Sequence, residues 1–216
     1  MRTVTGSTQR EMRSIERDAS ETLRTELRMG AGTLKVSGGS PNWMQGDFAY
    51  NVLSWKPNIR YTTTGGHGDL KIEQPNSNQF RTGNTTNEWD LRLNNEIPTD
   101  LTAQIGAGEV RLDLGTLSLR SLKIEMGAGE LRLDLRGKPK RDYTVSIRGG
   151  AGEATVYLPR DAGIYARATG GLGEISVKGL RAEGDHWVSD AQGKPKVPRL
   201  RLDIEGGVGA INLIAE

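Results

Sequence analysis

Apolar and polar residues alternate along most of this chain. Leu23-Arg24-Thr25-Glu26-Leu27-Arg28-Met29, Leu101-Thr102-Ala103-Gln104-Ile105, Leu122-Lys123-Ile124-Glu125-Met126, Tyr143-Thr144-Val145-Ser146-Ile147 and Leu200-Arg201-Leu202-Asp203-Ile204 all repeat with period two. That period sends successive side chains to opposite faces of a strand, one buried and one wet. Each run leads within three residues into glycine-x-glycine, after which alternation resumes, as in Gly106-Ala107-Gly108-Glu109-Val110-Arg111-Leu112. The phrase occurs seven times, at Gly30 and Gly32, Gly66 and Gly68, Gly106 and Gly108, Gly127 and Gly129, Gly150 and Gly152, Gly171 and Gly173, and Gly207 and Gly209.

The second glycines are spaced by 36, 40, 21, 23, 21 and 36 residues, so a unit of about 21 residues repeats and three units carry extra loops. A period in this range marks a stacked architecture. Each unit reads as strand, glycine corner, strand and a connection onward. In the clearest one, Val110, Leu112 and Leu114 point inward, Gly115-Thr116 bends, and Leu122, Ile124 and Met126 close the coil. Glycine suits the corner because it accepts positive φ and lets backbones approach closely. The expectation is an all-β, single-domain, β-helix-like solenoid of about seven glycine-cornered coils with inserted loops, on the order of 30 Å long at the inter-strand spacing. Met12, Ile15, Ala19, Leu23 and Leu27 would also fit a helix, but the alternation favours a strand from about Leu23. Residues 1–20 then form a polar tether or extended segment, and residues 21–216 the solenoid domain.

Composition removes several chemistries. Twenty-nine basic against 27 acidic residues leave a net charge of +2, interspersed along the chain, which gives nucleic acid no clustered basic face. There is no cysteine, hence no disulfide, thiol catalysis or cysteine-held zinc. No apolar run reaches the ~20 residues that span a bilayer. The first six residues lack the apolar centre of a signal peptide, so membrane association is expected only through an anchor outside this chain. Gly-Ala-Gly is followed by strand alternation rather than a third glycine and a helix, which argues against dinucleotide binding. Glu109, Glu130, Glu153 and Glu174 form a candidate column for a hard cation. The calcium-binding β-roll motif, however, needs aspartate where Leu34, Leu70, Val110, Leu131, Ala154, Ile175 and Ile211 stand. His67 and His186 have no acid or nucleophile at a telling spacing. A β-helical polysaccharide-active enzyme is the lesser alternative to a binding module, since stacked coils can bring distant carboxylates together, although no motif singles out a pair. Neither a catalytic residue nor a cofactor is therefore expected.

The tryptophans sit where the repeat is broken. Trp43 and Trp55 lie in the first long insertion, Trp89 in Glu88-Trp89-Asp90-Leu91-Arg92-Leu93, and Trp187 in the last insertion. Stacked folds need atypical structure over their ends, and inserted loops collect on one face where binding occurs. The rings are expected either to cap the core or, for Trp43, Trp55 and Trp187, to form a partner-binding surface.

Trp89 through Pro98-x-x-Leu101, Gly106-Ala107-Gly108-Glu109 with Leu112-Asp113-Leu114, Leu119-Arg120-Ser121-Leu122 and the second Gly127-Ala128-Gly129 together resemble the bacterial toast-rack domain of LiaF-like, cell-wall-active antibiotic response proteins and related candidate adhesins. The resemblance runs from about Ser14 to Glu216. It implies a non-enzymatic, extracytoplasmic, envelope-associated domain that contacts an envelope protein or cell-surface component, as an adhesin-like or scaffold module. In some relatives such a domain restrains a membrane histidine kinase in envelope-stress signalling. The family has no established catalytic residues to carry over.

Overall fold

The computed structural model describes residues 6–75 and 85–216. In chain order these form β1 (Gln9–Ile15), β2 (Thr22–Gly38), β3 (Met44–Tyr50), a 3-10 turn (Leu53–Trp55), β4 (Asn58–Thr64), β5 (His67–Glu73), β6 (Asn87–Leu93), β7 (Thr99–Asp113) and β8 (Leu119–Asp134). Then follow β9 (Tyr143–Leu158), β10 (Gly163–Leu172), β11 (Ile175–Lys178), β12 (Arg181–Glu183), β13 (His186–Val188) and β14 (Arg199–Ala215). The fold is all-β. Fourteen strands join one open sheet in the order β1-β3-β6-β2-β7-β8-β9-β14-β10-β13-β12, with β4 and β5 branching from β2 and β11 from β14.

The long strands β2, β7, β8, β9 and β14 are continuous through a glycine corner and pair in parallel, so Gly32, Gly108, Gly129, Gly152 and Gly209 lie in register. Each strand therefore has a first leg before the corner and a second leg after it. The alternation predicts which residues turn inward, and Leu101, Ala103, Ile105, Val110, Leu112 and Leu114 all belong to a single buried cluster that continues through the neighbouring strands. At the far end a turn closes with the Leu117 amide donating to the Leu114 carbonyl at 3.0 Å. It returns the chain so that Leu119 pairs with Thr99. No single strand could hide its apolar row alone, which is why stability depends on the stack.

Two features depart from seven equivalent coils stacked in chain order. Gly66 and Gly68 are not a corner. Gly65 and Gly66, at φ +58° and +77°, form the tight turn of the β4–β5 hairpin, with Thr64 opposite His67, and two successive positive φ values are the signature of a type I′ turn. β5 then lies along Thr22–Arg28 of the first leg of β2, while β6 lies along Thr33–Gly38 of its second leg. Two separate strands thus occupy the place of one bent strand. A hairpin glycine pair followed by a strand presents the same local pattern as a corner.

The last repeat in sequence is also not the last in space. β14 inserts between β9 and β10, in parallel with both. β10 and β11 form the terminal pair of legs, and the β12–β13 hairpin lies antiparallel on the outer edge of β10 at Tyr165 and Ala166. At the opposite end β4 covers β5, and β3 and then β1 cover β6, all antiparallel. The segment Gln9–Ile15 is thereby the outermost strand, and residues 1–5 of the sequence-predicted tether lie outside the described residues.

Candidate functional site

The corner edge carries the most distinctive geometry. The last inward position of the first leg is Met29 in β2, Ile105 in β7 and Met126 in β8, each at most 8% exposed. In register with them stand Gly149 in β9, Gly206 in β14 and Gly170 in β10. Facing this column across the corner is the first inward position of the second leg: Leu34, Val110, Leu131, Ala154, Ile211 and Ile175. Both positions are small only at β9, where Gly149 meets Ala154. A Cβ added at Gly149 would have no neighbour within 4 Å. The missing side chains leave a crevice of about 50 Å³, lined by Met126, Leu131, Ile147, Ile175, Ile204 and Ile211 among corner glycines.

The outer surface of the corner changes in the same direction. Its middle residue is Ala31, Ala107, Ala128, Ala151, then Val208 and Leu172, all in register. Val208 is 56% and Leu172 73% exposed, so an apolar ridge stands beside the crevice. Glu153 and Glu205 are the ionisable groups that border it. Asn212 donates to Glu153 Oε1 at 2.9 Å, and Arg148 pairs with Glu205 at 3.1 Å. An apolar floor and an apolar ridge suit capture of an aliphatic group. The two carboxylates, Glu153 and Glu205, are each engaged by a neighbouring side chain.

The residues singled out from the sequence fall elsewhere. Trp43 is 3% exposed, with its indole N–H donating to Asp18 Oδ1 at 3.0 Å and the Arg17 guanidinium 5.1 Å above the ring. Hydrogen bonds from Ser20, together with those from Trp43 and Tyr61, hold the Asp18 carboxyl down at about 2 against the burial that opposes them. Trp55 is also 3% exposed, in the 3-10 turn, and Trp89 packs edge-on against Phe48 with centroids 5.7 Å apart. Trp187 is half-buried in β13 opposite Ala166. Trp43 and Trp187 belong to opposite ends of the strand order, so the structure does not bring the three predicted rings onto one surface. Their apolar bodies go where ends of the sheet need covering.

The carboxylate column is interrupted. Glu109, Glu130 and Glu153 stand in register, but the inserted β14 places Ala210 next to Glu153 and separates Glu174 from the row. Glu109 pairs with Arg111 on its own strand. Among the described residues no group of three His, Asp or Glu side chains is placed to hold a metal ion. His67 bonds Thr22 Oγ1 at 2.6 Å, and His186 stacks on Tyr165 at 4.4 Å.

One cluster had no signal in the repeat pattern. Where β5 and β6 replace a bent strand, Gln74 Oε1 accepts from the Gly30 amide at 2.8 Å and from Asn87 Nδ2 at 2.9 Å. Asn87 Nδ2 also donates to the Ala31 carbonyl at 2.7 Å, and Asn87 Oδ1 accepts from Trp89 at 3.1 Å. Both amides are 4% exposed. They provide the β2 corner with the polar partners that a neighbouring glycine corner would otherwise supply.

The family model described as the N-terminal domain of toast_rack, DUF2154, matches residues 4–157. The crystal structure of a "putative cell adhesion protein" from Clostridium sporogenes ATCC 15579 is 36% identical, with a TM-score of 0.94 over 97% of this chain and 100% of that one. A "putative adhesin" from Bacteroides fragilis NCTC 9343 is 10% identical with a TM-score of 0.32, over 96% of this chain and 97% of that one. No curated protein matches the sequence.

Proposed function

The chain belongs to the toast-rack family, and from that premise we propose that it is an envelope-associated, adhesin-like binding protein that recognises its target without transforming it. The exchange of Met29, Ile105 and Met126 for Gly149, Gly206 and Gly170 along one column supports this reading most directly. A stack selected only for stability would fill the space at Gly149, because leaving it open forgoes the burial of a large side chain, roughly 1.5–3 kcal/mol, whereas at Gly206 and Gly170 the second-leg Ile211 and Ile175 already reach across. The target contributes an aliphatic group to the crevice, and Val208 and Leu172 extend the contact. The same rigid edge would also serve a regulatory role in envelope stress by docking another envelope protein.

Cosedimentation with isolated bacterial cell-envelope fragments tests the site. The native protein is expected in the pellet, and the double variant Leu172→Asp, Val208→Asp is expected to bind at least tenfold more weakly with an unchanged melting temperature. Equal binding by the two proteins would overturn the assignment of the ridge.

A further inference from the structure

β1 is the outermost strand, with β3 along one edge and no strand along the other among the described residues. Glu11, Arg13 and Ile15 lie on the face shared with Phe48, Gly46 and Met44, whereas Arg10, Met12 and Ser14 lie on the opposite face. Met12 is 84% exposed, more than any other large apolar side chain among the described residues. An open strand edge is a template for another strand, and this one is self-complementary.

We propose that β1 pairs antiparallel with β1 of a second copy of this chain, about a two-fold axis at Met12. In that register Glu11 faces the partner subunit's Arg13, Arg13 faces the partner subunit's Glu11, and the two Met12 side chains meet on the axis. Opposite charges directly across an antiparallel pair attract, and like charges repel. The neighbouring registers are poorer. Centring on Glu11 or on Arg13 sets that residue against its own copy, and centring between two residues would oppose side chains from different faces of β1, which a two-fold axis does not permit.

Charged residues on edge strands ordinarily bar indiscriminate pairing. Here they bar the symmetric register on either side, and the two-fold axis closes the assembly at two copies. Glu11 is already held by Arg13 on its own strand and by Lys56 at 3.2 Å, so its carboxylate is positioned before the partner arrives. The contact is one seven-residue strand edge, which places it among small interfaces that form reversibly. It uses neither the crevice nor the Leu172 ridge, and stands or falls apart from them.

Sedimentation equilibrium over a concentration series reaching millimolar protein tests the pairing. The native chain is expected to show a monomer–dimer equilibrium, with Kd raised about tenfold or more by Glu11→Arg and by Arg13→Glu singly. The double variant E11R/R13E restores both opposite-charge pairs and is expected to return Kd to within about threefold of native. Met12→Lys, which places two ammonium groups on the axis, is expected to remove the dimer while far-UV circular dichroism and the melting temperature stay unchanged. A native chain that remains monomeric throughout, or a dimer indifferent to the single reversals, would overturn the proposal. A double variant no better than the singles would overturn it as well.

Discussion

One glycine corner serves two halves of this molecule that differ in what lies beneath it. From β2 to β8 the corner rests on Met29, Ile105 and Met126; from β9 through β14 to β10 it rests on Gly149, Gly206 and Gly170. The backbone barely registers the change, since Gly129 in the filled half has φ +129° and Gly152 and Gly209 in the hollow half have φ +132°. The ends differ too. The filled half terminates in the Gln74–Asn87 amide network and three antiparallel strands, whereas at the hollow end the β12–β13 hairpin covers part of β10 and no strand lies outside β11 among the described residues. The corner glycines thus specify a frame, and the inward position just before them can change from a large side chain to glycine without altering it.

The sharpest way to break the comparison is to attack what both halves share. A Cβ at Gly129 would overlap the Gly108 carbonyl oxygen, and one at Gly152 would overlap that of Gly129, each on a backbone with φ above +120° that side chains rarely adopt. Gly129→Val and Gly152→Val are each expected to cost more than about 4 kcal/mol, measured by denaturant unfolding. A hollow-half variant that unfolds like the native protein would mean that the halves differ in their backbone and not merely in their side chains.

The sealed end provides a smaller test. Asn87→Ala removes a 4%-exposed amide that serves the Ala31 carbonyl, Gln74 and the Trp89 indole. Leaving buried polar groups unpaired costs about 1–3 kcal/mol, so the unfolding midpoint should fall accordingly. An unchanged midpoint would show that the filled half owes its closure to the antiparallel strands alone.

Much of the frame is legible in the sequence because alternation and glycine spacing are local and the stack repeats them. β7, β8 and β9 follow the predicted legs and corners closely, and the in-register charges Glu109 on Glu130 and Arg111 on Arg132 fall directly out of the 21-residue step. What escaped depends on non-local pairing. Gly66 is the exception, a local signal masked by the corner pattern: with Gly65 it forms a Gly-Gly hairpin turn. β14 lies between β9 and β10, which it reaches by pairings that span tens of residues in sequence. The amide network compensates for a corner absent from β5 and β6, and absence leaves no repeat to read. The crevice, by contrast, had a signal. Aligning Met126, Gly149, Gly170 and Gly206 at the position before each corner exposes the switch from large to small, although the true order of the column emerges only from the pairing.

The smallest expected effect on stability sharpens the comparison most. Gly149 lacks a positive φ and has open space where its Cβ would stand, so Gly149→Met places in the hollow half the same side chain that Met126 supplies next door. Burying added methylenes stabilises by about 0.8 kcal/mol each. Loss of rotamer freedom in methionine, roughly 1.5–2 kcal/mol, and of glycine's backbone freedom in the unfolded chain, worth about 0.4–1 kcal/mol in the opposite direction, act on the same balance. The net change is expected to stay within about 1 kcal/mol by denaturant unfolding, while retention on envelope fragments falls at least tenfold. Lost retention with intact stability assigns the vacancy to recognition, because a purely structural gap would be indifferent to filling. Retention as strong as native would move the binding surface off the crevice, and a loss of several kcal/mol would mean that the hollow is a requirement of the fold.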